Sequence, residues 1–414
     1  MTDLPVSVVV VSRGRPEALK RCLLGLEQLQ YSAFEIIVVA DPGGIAATQS
    51  LPFAGALKLV GFEQANISAA RNLGIAEAAG EVVAFIDDDA VPEPQWLRHL
   101  IAPAAQSEVA AMGGYVRGRN GISFQWRARS LDAGGEAHDM DLQGHAPRVL
   151  HPPEGRAIKT EGTNMAVRRD VLVELGGFDE AFHYFLDETD LNMRLARAGY
   201  ATALVPLAEV HHGFAANPTR SAHRVPKSLF DIGASWAVFQ RKHVAPDAQG
   251  AQWKRLHAEQ RRRVLRHMVA GGLEPRDVRH LLAGLEAGYA QGRDRTPAPA
   301  RLPSHTASAF SLFPSIPRAS SYTSTTPLNA AAALQAAGEK VKNGEIVTVF
   351  ALSTSAMYHQ VGFTDAGVWL HKGGVFGRSD RDQPIVRAIS RSRRINLEVS
   401  RVAVQRGLTK EQQK

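Results

Sequence analysis

Three aspartates in a row, Asp87, Asp88 and Asp89, follow directly on the apolar run "EVVAFI" (81–86). Adjacent like charges repel, and each disfavours ionisation of its neighbours. A divalent cation turns that repulsion into a reason for closeness. Mg²⁺ takes one or two carboxylates from a protein and the rest of its oxygens from phosphate or water. A second acidic group, Asp187-Glu188-Thr189-Asp190, opens a helical segment. His211 and His212 follow a strand-like segment, and Asp41 ends another. Each feature also has an ordinary structural reading. Asp89 or a neighbour could cap a helix opened by Pro92 and Pro94. Carboxylates in a first helical turn favour the helix dipole, and paired histidines are common in cores and on surfaces.

The elements that position these residues are legible from their periodicity. "VSVVVV" (6–11), "EIIVVAD" (35–41), "ALKLVGF" (56–62) and "EVVAFI" (81–86) read as strands. Between them, "PEALKRCLLGLEQL" carries an apolar helix face including Leu19, Cys22, Leu23 and Leu26, which makes the single cysteine a core thiol. "NISAARNLGIAEAAG" (66–80) reads as a helix with Ser68 as N-cap and Gly80 as its stop. Strands alternating with helices predict a mostly parallel sheet covered on both faces. Ligands bind such a sheet beyond the carboxyl ends of its strands, where Asp41 and the aspartate triplet stand.

The chain has 414 residues, 44% hydrophobic and 21% charged, which suits a globular protein of more than one domain. One cysteine excludes a disulfide framework. Neither a signal peptide nor an apolar run near the roughly 20 residues of a bilayer span is evident, so the expectation is a cytoplasmic protein. Charge divides the chain. Residues 1–214 hold 18 Lys+Arg against 27 Asp+Glu, and residues 215–414 hold 30 against 14. The basic half includes "QWKRLHAEQRRRVLRHM" (252–268) and "RAISRSRRINLEVSRVAVQR" (387–406), faces that attract polyanions or an anionic membrane. No zinc spacing, helix-turn-helix or aromatic RNA motif raises nucleic acid as a partner.

"VSVVVVSRGRPEALKRCLLGL", "EIIVVAD", "ISAARNLGIAEAAGEVVAFIDDDAVPEPQWL", "GTNMAVRRDVLVELGGFDE" and "DETDLNMRLARAGY" resemble, in order and spacing, the family 2 glycosyltransferases over residues 4 to 214. The resemblance implies a GT-A fold: a Rossmann-like α/β domain whose mostly parallel sheet binds a nucleoside-diphosphate sugar. It implies that Ser12, Arg13, Arg15, Asp41, Arg71, Asp87 and Asp88 contact the donor. Asp89, Asp87 and His212, with His211 as an alternative to His212, would hold Mn²⁺ or Mg²⁺. Glu188 would be the catalytic base, with Asp187 as alternative, because the family's acid pair stands here in the order Asp-Glu. Thr163 and Asn164 would meet a saccharide or lipid-linked saccharide acceptor, in bacterial polysaccharide or lipopolysaccharide assembly. Peripheral contact with an anionic membrane would follow from lipid-linked acceptors. Two acidic sites suit this chemistry, one holding the cation that neutralises the leaving phosphates and one accepting the acceptor's proton.

The rival readings are few. No G-x-G-x-x-G follows the first strand and no G-x-x-x-x-G-K-[ST] occurs, which removes dinucleotide dehydrogenases and P-loop enzymes. A nucleotidyltransferase, or an inactive nucleotide- or polyanion-binding protein, shares most of the remaining features. The expected organisation is a GT-A domain over 1–218, a basic helical extension over 219–294 and a Pro/Ser/Thr-rich linker over 295–327. A small α+β module over 328–414 follows, and the sequence assigns it no chemistry.

Overall fold

The computed structural model describes residues 3–213, 219–221, 223–305 and 308–408. The ends of the chain and residues 214–218 at the edge of the expected catalytic domain lie outside them, as do 222 of the expected helical extension and 306–307 of the expected linker. Four strands come first: β1 (Val6–Ser12), β2 (Phe34–Ala40), β3 (Lys58–Gly61) and β4 (Val82–Asp87). They alternate with α1 (Pro16–Glu27), α2 (Pro42–Gln49) and α3 (Ile67–Glu77) and pair in parallel in the order β4-β1-β2-β3. Strand order reverses at β1, which opens a crevice at the carboxyl ends of β1 and β4.

The sheet continues through β5 (Ala90–Pro92), which leads to α4 (Trp96–Ile101), and then β6 (Val109–Arg117). Five short strands follow: β7 (Phe124–Trp126), β8 (Arg129–Leu131), β9 (Ala137–Asp139), β10 (Arg148–Leu150) and β11 (Ala157–Lys159). β12 (Asn164–Arg168), α5 (Arg169–Leu175), α6 (Asp187–Arg197) and β13 (Ala201–His212) complete the unit. β12 lies antiparallel between β4 and β6, and β13 lies parallel to β6 and antiparallel to β5. β8, β9 and β11 form a separate small sheet over the crevice side.

The pleat sends successive β1 residues to opposite cores. Val8 and Val10 pack with Leu19, Cys22, Leu23 and Leu26 of α1, and Val9 packs with Ile75, Phe85 and Leu191. Cys22 is a buried thiol, as expected. α3 differs from expectation at both ends. Asn66, not Ser68, is its N-cap, accepting from the Ala69 amide at 3.1 Å. Ser68 is buried and donates to the Phe182 carbonyl at 2.7 Å instead. The helix stops at Glu77, ahead of Gly80.

α7 (Phe230–His243), α8 (Pro246–Val269) and α9 (Pro275–Asp294) follow as a helical unit. The stretch after α9 is a strap rather than a free tether. Arg169 donates to the carbonyls of Pro303 and Ser304, and the Phe313 amide donates to Phe34 at 2.8 Å while its ring packs on the Phe34 ring. Residues 320–325, expected in the linker, form β14 (Ser320–Thr325), where Thr and Tyr suit a pleated surface. With β15 (Ile346–Ser353), β16 (Gln360–Phe363) and β17 (Trp369–Gly374) it builds a third sheet, of order β14-β15-β17-β16, accompanied by α10 (Ala330–Lys342) and α11 (Arg391–Arg406). Arg394 and Arg406, expected on a polyanion-facing surface, are fully buried in this unit. No helix among the described residues is long and apolar enough to cross a membrane.

Candidate active site

The aspartate triplet leaves the end of β4 into β5 and caps no helix. α4 begins after Gln95, which makes no side-chain cap bond. Each carboxylate has its own partners. Thr163 donates to Asp87, whose other oxygen lies 3.5 Å from Arg71 Nη2. Asp88 is fully buried, accepting from Ser12 Oγ at 2.6 Å and pairing with Arg15. Asp89 lies 3.2 Å from Arg15 Nη1 and 3.1 Å from His212 Nε2. Burial lifts Asp88 to about 7, with Arg15 opposing and Asp89 adding to the rise.

His212 approaches the triplet from the end of β13, and its Nδ1 lies 2.9 Å from Gln125 Oε1. A carbonyl oxygen there takes the Nδ1 proton and leaves the Nε2 lone pair aimed at Asp89. Metal-bound histidines are oriented in the same way. Ligand atoms of Asp87, Asp89 and His212 all lie within 4.8 Å of one another, and two carboxylates with one imidazole suit a hard or borderline divalent cation. The residues present therefore fit Mn²⁺ or Mg²⁺. His211 does not join them. The pleat turns it to the other face of β13, where Nε2 meets Glu93 at 2.8 Å and the ring packs against Trp369.

The second acidic group opens α6 beside the first. Phe185 and Leu186, immediately before it, have φ of 73° and 67°. Two successive non-glycine residues in the left-handed region store strain, which clusters at sites whose geometry matters. Arg71 joins the two groups. Its Nη1 bonds Asp187 while Nη2 faces Asp87 and donates to the Gly162 carbonyl at 3.2 Å. Burial raises Asp187 to about 7, Arg71 opposing and Glu188 adding. Burial would raise Glu188 as well, but the Lys159 ammonium at 2.5 Å outweighs it and holds this carboxyl near 2. The Glu188 side chain is 18% exposed and lines the cavity, whereas that of Asp187 is 4% exposed. Asp190 is structural, gripped by Arg194, Lys242 and His243.

Asp87, His212, Asp187, Glu188 and Thr163 share one cavity of about 1120 Å³. Asn164 is outside it. It is fully buried, accepts from Trp96 Nε1 at 2.7 Å and donates both amide hydrogens, to Tyr115 and Ala208 carbonyls. With every polar atom used it clamps β12 to β6 and β13, so the expectation that it meets an acceptor fails. Asp41 is the N-cap of α2, accepting from Gly44 at 2.8 Å, and its second oxygen holds the Gly14 amide at 2.7 Å. It thereby ties down the loop carrying Ser12, Arg13 and Arg15. Arg13 is exposed and donates to the Glu63 carbonyl at 3.0 Å. Lys159, Gln125 and the cavity-lining Trp126 were not singled out in the sequence, because each stands alone in a short strand or loop with no pattern around it.

A family model described as "Glycosyltransferase like family 2" matches residues 4–226. The chain belongs to that family. Its mixed, mostly parallel sheet with helices on both faces is the GT-A arrangement. This family 2 chain is 29% identical over 216 residues to a pre-mycofactocin glycosyltransferase of Mycobacterium tuberculosis, covering 50% of this chain and 42% of that protein. It is 26% identical over 238 residues to the glycosyltransferase AglE of Haloferax volcanii, covering 55% and 71%. It thus spans less than half the length of the mycobacterial relative. Two solved structures align over parts of it. One is GalNAc-T7 with UDP, GalNAc and Mn²⁺, at 17% identity and TM-score 0.45, covering 58% of this chain and 48% of that one. The other is the Pyrobaculum calidifontis mannosyltransferase PcManGT with GDP-Man and Mn²⁺, at 18% and 0.40, covering 70% and 88%.

Proposed function

We propose that the protein is a divalent-cation-dependent, inverting glycosyltransferase. It moves a sugar from a nucleoside-diphosphate sugar to a hydroxyl of a saccharide or lipid-linked saccharide, in assembly of a bacterial polysaccharide or lipopolysaccharide. The observation that carries this reading is Arg71, which fixes Asp87 and Asp187, and so the two acidic groups, in one cavity. Family membership and the names of the glycosyltransferase relatives support it.

Asp87, Asp89 and His212 would hold the cation, with Asp88 keeping Ser12 and Arg15 in place beside them. When bound, Mn²⁺ or Mg²⁺ supplies charge neutralisation for the departing diphosphate. Arg13, Arg15, Asp41 and Arg71 surround the nucleotide side. Glu188 takes the proton of the acceptor hydroxyl as its oxygen closes on the anomeric carbon from the face opposite the diphosphate. Lys159 keeps Glu188 ionised at neutral pH, and Asp187 stays committed to Arg71. Thr163, bonded to Asp87, lies where donor and acceptor meet. Single displacement inverts the sugar, through the oxocarbenium character common to glycosyl transfer.

The test is thermal unfolding with UDP, GDP or dTDP, each with and without Mn²⁺. One diphosphate, at about 100 times its dissociation constant, should add about 2.7 kcal/mol only when Mn²⁺ is present. Asp89→Ala should abolish that gain. Indifference to every nucleotide would sink the reading.

A further inference from the structure

The cavity is lined by charges of both signs. Asp87, Asp187 and Glu188 line it with Arg71 and Lys159 beside them, and so do Arg220, Arg224, Arg263 and Arg266 with His223 and His267, the Arg263 charge being close enough to feel the other three arginines. The basic residues come from two elements. Arg220 and Pro226 form a bridge, and the Ser221 amide donates to the Val225 carbonyl at 2.9 Å. α8 supplies the others. Arg224 has φ of 63°, a strained conformation for a residue with a Cβ. Arg263 and Arg266, three apart, share a face of α8. Among the described residues neither has a carboxylate within ion-pair distance, although Glu259 lines the same wall.

Burial and then the Arg224, Arg220 and Arg266 charges disfavour the charged form of Arg263. Holding the Arg263 and Arg266 charges together on one helix face is unfavourable for the protein alone and favourable once an anion sits between them. Guanidinium forks match phosphate oxygens in particular. The donor's diphosphate does not account for these arginines, because the acidic cation site serves it under the function proposed above. The volume also exceeds the roughly 300–1,000 Å³ typical of a single small-ligand pocket. Glu259, Arg263 and Arg266 also border the open surface of α8, so this face is reachable from solvent.

We infer that Arg220, Arg224, Arg263 and Arg266 form a phosphate subsite for the acceptor, which is a phosphorylated or diphosphate-linked saccharide whose reacting hydroxyl reaches Glu188. This rests on the glycosyltransferase reading for the word acceptor, but the anion site stands or falls by itself.

The test is binding of inorganic pyrophosphate to the full chain in EDTA, which silences the cation site, followed by calorimetry. Wild type and Asp89→Ala should bind it alike. Arg263→Gln with Arg266→Gln should weaken binding about tenfold or more, since each change removes a charge-assisted hydrogen bond to phosphate. Arg224→Gln is a second variant should the double one unfold at lower temperature. Pyrophosphate binding that disappears in Asp89→Ala, or is untouched by the arginine changes, overturns the subsite. If Mn²⁺-dependent nucleotide binding fails while pyrophosphate binding persists, the function fails and the subsite remains. Competition then identifies the source. Displacement by a soluble sugar 1-phosphate, or only by vesicles carrying a polyprenyl phosphate, supports the site and names its ligand. Equal displacement by phosphatidylglycerol vesicles means a membrane-facing patch and overturns it.

Discussion

Two clusters of histidine and carboxylate in this molecule meet the same spacing test for a metal and differ in everything around them. Asp87, Asp89 and His212 form one, and His359, His371 and Glu398 in the C-terminal sheet form the other, each with ligand atoms within 4.8 Å. His212 turns its outer nitrogen to the oxygen of Gln125. In the second cluster His359 Nε2 and His371 Nδ1 face each other at 2.8 Å. Their outer nitrogens meet guanidiniums, Arg394 at 3.3 Å from His359 Nδ1 and Arg406 at 2.9 Å from His371 Nε2. A cation between the inner nitrogens would force protons onto both outer ones, donor against donor at each end, because a guanidinium only donates. Burial holds His359 at about 4 and His371 well below its ordinary range, so both are neutral. The second cluster is a joint: Arg406 makes two bonds of 2.9 Å to Glu93, just beyond β5, and fastens the small sheet behind the strand that carries His212. Spacing nominates both clusters; the partners of the outer nitrogens favour the first.

The largest effect that tests this contrast is on cation binding. Titrating Mn²⁺ into the wild type should give one site per chain, and Asp89→Ala should give none and lose transfer by about 10³-fold, several kcal/mol of charge stabilisation. His371→Gln should leave the Mn²⁺ site in place. If instead Mn²⁺ survives Asp89→Ala and vanishes in His371→Gln, the two clusters have been assigned the wrong way round.

The joint should respond in stability rather than chemistry. Arg406→Ala leaves Glu93 buried without its cation, which costs about 3–5 kcal/mol. Replacing both partners together, Arg406→Met with Glu93→Met, should restore most of that loss. Urea unfolding of the wild type and the two variants measures it, and a double variant no better than the single one would mean the pair is more than a paired charge.

How much of this contrast was legible in the sequence depends on how local its causes are. The apolar run ending in Asp87 to Asp89, and the carboxylates opening α6, follow from period-two and helical patterns within a few residues. His211 and His212 had to lie on opposite faces of a strand, yet which one faces the cavity is set by the register of β13 against β5, fixed by residues over a hundred positions away. Asn164 looked like a sugar-binding amide until the carbonyls of Tyr115 and Ala208 took its hydrogens. The basic stretches 252–268 and 387–406 read alike, but α8 turns Arg263 and Arg266 into the cavity, whereas α11 buries Arg394 and Arg406 in its own sheet. No composition signal separates those outcomes.

A smaller effect separates the two acids at α6. Glu188→Gln should lower transfer about 10²-fold, at the low end of general-base contributions, with nucleotide binding retained. The pH profile of wild-type kcat then tells the two apart. A base held near 2 leaves the rate flat from pH 8 down through 5, whereas a limb falling below 7 would point to Asp187, the carboxyl that burial raises.

The smallest effect returns to the joint and concerns acid. Burial alone would raise Glu93, but Arg406, by charge and by two hydrogen bonds, and His211 behind it carry the carboxyl well below the usual range. A carboxylate depressed in the folded state stabilises fully above its unfolded value of about 4.3 and loses that stabilisation as pH falls toward the folded value. Below about pH 4.3 the wild type should therefore lose up to about 1.4 kcal/mol per pH unit from this one group. The Arg406→Met, Glu93→Met chain lacks it, and subtracting its acid sensitivity removes the contribution of every other carboxylate. Parallel urea midpoints for the two proteins between pH 5 and 3 would show that folding does not depress the Glu93 carboxyl, and that the module is held to the sheet of β1 to β6 by packing instead of by charge.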